Sequence, residues 1–428
     1  MPALHIASCY NTRCTHFNRE ANPLIQRYRS LQKQYPRQFW LLFWGMLIST
    51  SGNSMIWPFI TIFLIQKLDI SLTTATLLMT VKSVTILFSS LLAGPLTDRF
   101  GRKNAMVISV GASALVYVLM AFGTSLPYFI VLMAFSGLVQ PLYRIGADAM
   151  IADMLPMEQR ADGYSLIRMI NNVGVAIGPM VGGFLAATSY TSTFFIGAAC
   201  LAVFTFIIVF WIRETLDKTA IQSSGVGQDF KEYSLIFKDT LFMKVCTGFT
   251  LAMMGAVQLF VLLGVYGKTN FAMPESQFGL VITVNALMVV FLQYPVTQLT
   301  KKHPPLSVMT TGALLYALGL GSIALGSNAW HFALSMVILT TGELILVPTT
   351  TTLVANLAPA NMRGRYMSIY SLTMGVGQGI GPVMGGFLND NTAPVAIWYG
   401  TMVLGLLSML VFFSIKGKYS EKVSALST

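Results

Sequence analysis

Apolar residues in this chain gather into long runs broken by short polar stretches, without the strict apolar–polar alternation of membrane barrel strands. Twelve runs are long enough for a helix to cross about 30 Å of hydrocarbon, which takes about 20 residues. They fall near 39–66, 73–97, 104–123, 127–153, 163–187, 191–212, 241–266, 276–299, 306–326, 330–356, 366–388 and 393–415, and are numbered here as spans 1–12. In lipid, backbone N–H and C=O groups must bond within the protein, so the runs predict helices. The expected fold class is all-α integral membrane, with twelve transmembrane helices.

Composition agrees. The chain is 54% hydrophobic and 10% charged, against about 25% charged residues in soluble proteins. A net charge of +11 suggests nucleic acid until the charges are placed. Of 27 Lys and Arg, six precede span 1, thirteen lie in the connections after spans 2, 4, 6, 8 and 10, and three follow span 12. Lys67 and Lys268 alone lie on the other side, and Lys82, Arg144 and Arg168 fall inside spans. The expected partner is therefore a lipid bilayer and not nucleic acid, with both termini cytoplasmic in a multi-pass cell-membrane protein. The first 37 residues are polar and basic, so span 1 is expected to act as an uncleaved anchor. Cys9, Cys14, Cys200 and Cys246 are too scattered for a disulfide framework. His5, Cys9, Cys14 and His16 lack a zinc spacing, so no metal is expected.

The longest connection, 213–240, is charged and contains Ser223, Ser224, Gly225 and Gly227, as a flexible linker would. It divides the chain into a tail (1–38), a six-helix bundle (39–212), a second bundle (241–415) and a short tail (416–428). An internal repeat supports the division. Ala152, Pro156, Arg160 and Pro179 recur as Ala355, Pro359, Arg363 and Pro382, each 203 residues on. Gly178, Pro179, Gly182 and Gly183 in span 5 match Gly381, Pro382, Gly385 and Gly386 in span 11 at the same offset. Two parallel six-helix bundles are expected, with a binding site between them near the midplane. The glycines permit close helix packing and the prolines bend their helices; a role in setting transport direction stands beside that reading.

The connection after span 2 reads Gly94-Pro95-Leu96-Thr97-Asp98-Arg99-Phe100-Gly101-Arg102-Lys103. It resembles the signature loop of the major facilitator superfamily, and the resemblance covers the chain from about residue 39. It implies a secondary transporter that works by alternating access. Glycine-proline stretches in span 5 also resemble the proton-coupled drug antiporters of that superfamily. The resemblance places Asp98 beside the positive N-terminus of span 11, near Arg363 to Tyr366. Arg99 and Arg102 can pair with Asp153. Gly94, Asp98, Arg99, Gly101, Arg102 and Asp153 are thus expected to form a cytoplasmic latch that breaks when that side opens. In the second half Gln298 takes the aspartate's place, so only the first copy is charged.

Charge inside the spans is the other candidate chemistry. Glu343 lies mid-span 10, where a carboxylate costs at least about 2.5 kcal/mol. It suits a group that takes up a proton on one face and releases it on the other. Arg144 in span 4 resembles the intramembrane arginine of proton-coupled members, and Asp148, four residues on, can pair with it. Lys82 in span 2 is too deep to snorkel easily, and can meet an anionic substrate, pair with Glu343 or face lipid. Arg168, near the cytoplasmic end of span 5, is expected to reach the interface. Asn53, Gln140, Asn171, Asn172, Gln258, Asn285 and Gln293 are candidate cavity-lining groups or helix–helix hydrogen bonds.

No Walker loop, catalytic dyad or cofactor motif is visible, so neither an enzyme nor an ATP-driven pump is expected. The leading expectation is a monomeric, proton-coupled efflux transporter of small lipophilic or cationic molecules, driven by the proton gradient. A sugar or metabolite carrier of the same fold is the alternative, and a non-transporting receptor or scaffold is a further one.

Overall fold

Helix boundaries follow local chemistry. The Ser71 and Ser189 hydroxyls accept from the Thr74 and Ser192 amides, each at 3.2 Å, and Asp239 and Asn328 cap two further helices in the same way. The computed structural model describes residues 34–216, 236–359 and 362–427. Their secondary structure is helical, with no strand among the described residues. His5, Cys9, Cys14 and His16 of the tail and most of the central linker lie outside them.

Helix α1 is in two pieces, α1a (Arg37–Ser54) and α1b (Ile60–Leu68). The other first-half helices are α2 (Leu72–Phe100), α3 (Arg102–Phe122), α4 (Leu126–Met154), α5 (Met157–Thr188) and α6 (Tyr190–Trp211). The second half holds α7 (Thr240–Phe271), α8 (Glu275–Thr300), α9 (Pro305–Ser322), α10 (Ala329–Leu357), α11 (Arg363–Asn391) and α12 (Ala396–Ser427). Span n of the sequence is αn. The break in α1 corrects the expected continuous first span. Pro58 has no N–H and its ring clashes with the preceding turn, so the helix stops at Ser54 and restarts at Ile60.

Among the described residues, ten helices are long and apolar enough to cross a membrane by themselves. The remaining two of the twelve are the split α1 and α11, whose apolar stretch is diluted by glycines and by Asn389, Asp390 and Asn391. Two apolar cores form, the first within the first half and the second mainly in the second half, where it also takes in Phe59, Ile62, Leu72 and Ala186. One is built around Phe39, Phe129, Phe204 and Met150, the other around Phe242, Phe249, Tyr316, Phe332 and Trp398.

The 203-residue offset holds in the helices themselves. Helices α2, α3 and α4 begin at 72, 102 and 126, and α8, α9 and α10 begin at 275, 305 and 329. Asp69 and Ala272, also 203 apart, both end their helices with φ 51°. The ends of α2 and α8, Phe100 and Thr300, are 200 residues apart, as are Pro95 and Pro295, so counted from that end Gln298 stands opposite Asp98. The second half still lacks an acid there.

The glycine repeats have matching contacts. Gly178 and Gly182 lie against the α1 backbone at Ser51 and Met55, while Gly183 lies against the α8 backbone at Glu275 and Ser276. Their copies Gly381 and Gly385 lie against Met254 and Gln258 of α7, and Gly386 against Thr73 and Thr76 of α2. In each copy two glycines seat the first helix of their own half, and the last lets a helix of the other half approach. The halves therefore meet along α5–α8 and α2–α11.

Candidate functional site: a central cavity and its two ends

Hydrogen bonds that join the halves among the described residues run from mid-helix to the end away from the chain termini, called distal here. Thr73 of α2 donates to Asp390 of α11 twice, from its amide at 2.8 Å and its hydroxyl at 2.6 Å. Further in, the Thr80 hydroxyl donates to the Gly379 carbonyl at 2.5 Å. The Thr283 hydroxyl donates to the Ala176 carbonyl at 3.2 Å. Tyr190 of α6 donates to Glu275 of α8 at 2.5 Å, and Lys268 of α7 pairs with the same carboxylate. Rings of Phe59 and Phe278 meet edge-on at 5.5 Å, and those of Trp57 and Phe260 meet tilted at 6.1 Å. Burial alone would push the Asp390 carboxyl up, but the two Thr73 hydrogen bonds, helped by Asn389 and Ser71, hold it below 3.8.

At the opposite, terminal end the polar cluster stays inside the first half. Arg102 pairs with Asp153 and donates to the Ala149 carbonyl at 3.2 Å. Glu214 accepts from the Arg102 and Lys103 amides at 3.1 and 3.0 Å, capping α3 with a carboxylate where the helix dipole is positive. Thr215 donates to Asp153 at 2.8 Å. Gly101 sits at φ 94°, where L side chains are strained, and a Cβ there would run into Glu214. Asp98 and Arg99 are exposed and make no hydrogen bond or ion pair among the described residues. The expected pairing of Arg99 with Asp153 is therefore not formed, because Arg102 and Thr215 occupy that carboxylate. The open space beside Gly94 also gives it no packing role in this conformer.

Between the ends, Gln140, Arg144, Asp148 and Arg168 are exposed and Glu343 is half-buried, and the space they border toward the terminal end is called the cavity here. Glu343, fourteen residues from either end of α10 or about 21 Å of helix, accepts from Asn285 of α8 at 2.7 Å. The same amide reaches the Thr340 hydroxyl at 2.9 Å. Arg168 is close enough for its charge to act on Glu343 from the other half. It shares a face of α5 with Asn172 and Pro179, whose carbonyl meets Gly279 of α8. This places Arg168 inside the cavity, correcting the expectation that it reaches the interface.

Gln140, Arg144 and Asp148 form an exposed stripe at four-residue spacing on α4, opposite the outward-facing Val131, Phe135 and Leu138. Arg144 and Asp148 act on each other through space but form no ion pair within 4.0 Å among the described residues. Lys82 shares its face of α2 with the buried Ala75 and Leu78, away from Leu77 and Val84. That excludes a lipid-facing lysine, and no partner for its ammonium occurs among the described residues.

Other lining candidates are bonded to protein groups, Gln258 within its own helix and Gln293, Asn53 and Asn171 across helices. Gln258 is fully buried under Gly385, with its amide donating to the Met254 carbonyl at 3.1 Å. Gln293 bonds Thr297 at 3.0 Å and the Leu344 carbonyl at 3.1 Å. Asn53 accepts from Tyr117 at the last turn of α1a, and Asn171 accepts from Thr50 at 2.8 Å. Gln140 and Asn172 have no hydrogen-bond partner among the described residues.

The sequence profile of the Major Facilitator Superfamily matches residues 42–275 and 268–427. The chain belongs to that superfamily. It is a membrane transporter and not an enzyme. A Na(+), Li(+), K(+)/H(+) antiporter of Planococcus maritimus is 26% identical over 403 residues, covering 86% of this chain and 92% of the relative. Multidrug resistance protein MdtG of Proteus mirabilis is 26% identical over 402 residues, covering 89% and 94%. Among solved structures the nucleoside transporter NupG superposes with a TM-score of 0.75 at 13% identity, covering 90% of this chain and 99% of that one. A POT family transporter in complex with 5-aminolevulinic acid gives 0.73 at 17%, covering 89% and 95%. These likenesses carry the fold. The superfamily's signature loop is here a capped turn between α2 and α3, tied by Arg102 and Glu214 to neighbours in its own half.

Sequence reasoning missed Glu214, Glu275, Asp390, Tyr190 and Thr73. The acids were visible, Glu275 and Asp390 standing at span ends on the side almost empty of Lys and Arg. Tyr190 and Thr73 carry no signal of their own.

Proposed function

We propose that this transporter is a proton-coupled efflux antiporter for lipophilic or cationic compounds, resident in the cell membrane with both termini cytoplasmic. The observation that carries this reading is Glu343, the one carboxylate the second half places mid-span, facing the cavity and held by Asn285. A carboxylate there binds either a proton or a cation, and competition for one site couples the two fluxes. Asn285 fixes its orientation, so the same group can be presented to either side as the halves rock.

In this orientation the conformer is closed outside and open to the cytoplasm. Asp98, exposed here, closes on the N-terminus of α11 in the opposite conformer, and the Arg102–Asp153 pair keeps its loop in shape for that contact. The cation/proton antiporter and multidrug resistance names of the relatives support exchange and efflux. The transporter acts as a monomer with the proton gradient as its only driving force.

Reconstituted vesicles with an imposed pH gradient test the reading through extrusion of a panel of lipophilic dyes. Glu343→Gln should lose gradient-driven movement, with neutral dyes still bound and cationic dyes bound more weakly. Unchanged extrusion in that variant would remove Glu343 from the mechanism. A sugar moving without the gradient would point to a metabolite carrier.

A further inference from the structure

The 203-residue register relates two pairs of intramembrane residues. Asn285 corresponds to Lys82, and Glu343 corresponds to Gln140. In the second half the pair is hydrogen-bonded between α8 and α10. In the first half Lys82 and Gln140 stand on the equivalent helices, α2 and α4, which pack where the Lys82 backbone meets Gly137, one turn from Gln140. The cavity thus has one polar pole in each half at matching positions. The pole of the second half is a carboxylate and that of the first half is an ammonium.

The first-half pole is extended by further cations. Arg144 follows Gln140 by one turn on the exposed face of α4, and Arg168 enters from α5. Lys82, Arg144 and Arg168 form no ion pair among the described residues; Arg144 and Arg168 are exposed to water, and Lys82 is only partly so. Closing the terminal end would remove that water. The carboxylates on hand are Asp148 and Glu343, two against three cations. One positive charge is left over when Glu343 is ionised, and two when it is protonated. An uncompensated cation in an occluded cavity is strongly disfavoured.

We propose that the cargo carries an anionic group, a carboxylate or phosphate, that docks on the first half between Lys82 and Arg144, with Gln140 and Asn172 as neutral donors. The inference rests on the transport reading above and narrows it: the lipophilic cations this cavity carries also bear an acid, with the ammonium toward Glu343 and the anion toward Lys82. Two oppositely charged walls then grip one molecule, and occlusion buries paired charges instead of bare ones.

Equilibrium binding of three matched fluorescent probes tests this without any gradient: Nα-dansyl-lysine, its methyl ester and its Nε-acetyl derivative. The first carries both charges, the second only the ammonium and the third only the carboxylate. In the purified full chain at pH 7 the acid should bind about tenfold or more tighter than its methyl ester. Lys82→Gln should erase that preference and Lys82→Arg should keep it, with size-exclusion and melting profiles confirming that both variants are folded. The Nε-acetyl probe should keep part of the affinity and lose it in Lys82→Gln. Equal or tighter binding of the ester, no saturable binding of any probe, or a preference that survives Lys82→Gln would overturn the proposal. The proton-antiport reading fails separately, through extrusion that ignores Glu343→Gln.

Discussion

The two ends of the interface between the halves are held by different kinds of contact. At the distal end, Thr73–Asp390 and Tyr190–Glu275 cross from one half to the other, and Gly183 and Gly386 bring the backbones together there. At the terminal end, Arg102–Asp153 and Glu214 join helices of the first half only, and Asp98 is left exposed. Contacts within a half survive rigid rocking of the halves, whereas contacts between them must break. On the proposed alternating-access reading, the distal contacts are the gate that this conformer has closed, and the signature loop is a rigid fitting awaiting a partner.

The largest disruption should come from filling the close approach. Gly183→Leu places a branched side chain against the Glu275 and Ser276 backbone, which cannot retreat as a side chain would. Transport should fall by about a hundredfold, and spin-label distances across the distal end should lengthen. Next, Thr73→Val removes one of two donors to Asp390 and should shift the population toward the distally open conformer by about 1–3 kcal/mol, read from the same distances.

The Asp390 carboxyl is held low only while Thr73 faces it, so its contribution to closure is fully present above 3.8 and lost as pH falls through its depressed value. The distal distance in the wild type should therefore be flat from pH 8 to about pH 5, as far as this group controls it. Arg102→Gln should lower the melting temperature, through a loss of about 1–3 kcal/mol from a largely buried charged hydrogen bond, yet leave the distal distance unchanged. The smallest effect belongs to Asp98→Asn, which should leave the stability of this conformer untouched and lower only the population closed at the terminal end.

Much of this was legible in the sequence because lipid restricts the fold so severely. Twelve apolar runs and one constant offset already imply twelve helices in two related bundles. The break at 55–59 was hidden because hydropathy stays high through Met55, Ile56, Trp57 and Phe59, although Pro58 marks it. The distal gate was hidden for a different reason. Orientation is read from Lys and Arg, so Glu275 and Asp390 drop out of the count, and their partners are an ordinary Tyr and Thr. Glu214 lies at the start of the linker, and only folding brings it to the first turn of α3. The same offset that pairs the loops also pairs Lys82 with Asn285 and Gln140 with Glu343. Their meaning depends on the Asn285–Glu343 hydrogen bond, which a linear sequence does not display.

Alternating access is tested most directly by two distances measured in one set of samples. With Cys9, Cys14, Cys200 and Cys246 replaced by Ser, spin labels at Ser71 and Asn391 report the distal end, and labels at Asp162 and Leu299 report the terminal end. Changing pH and adding a transported dye should lengthen one distance as the other shortens, with the distal pair short whenever the terminal pair is long. Two distances that stay fixed, or lengthen together, would contradict a gate that opens at one end only when the other closes.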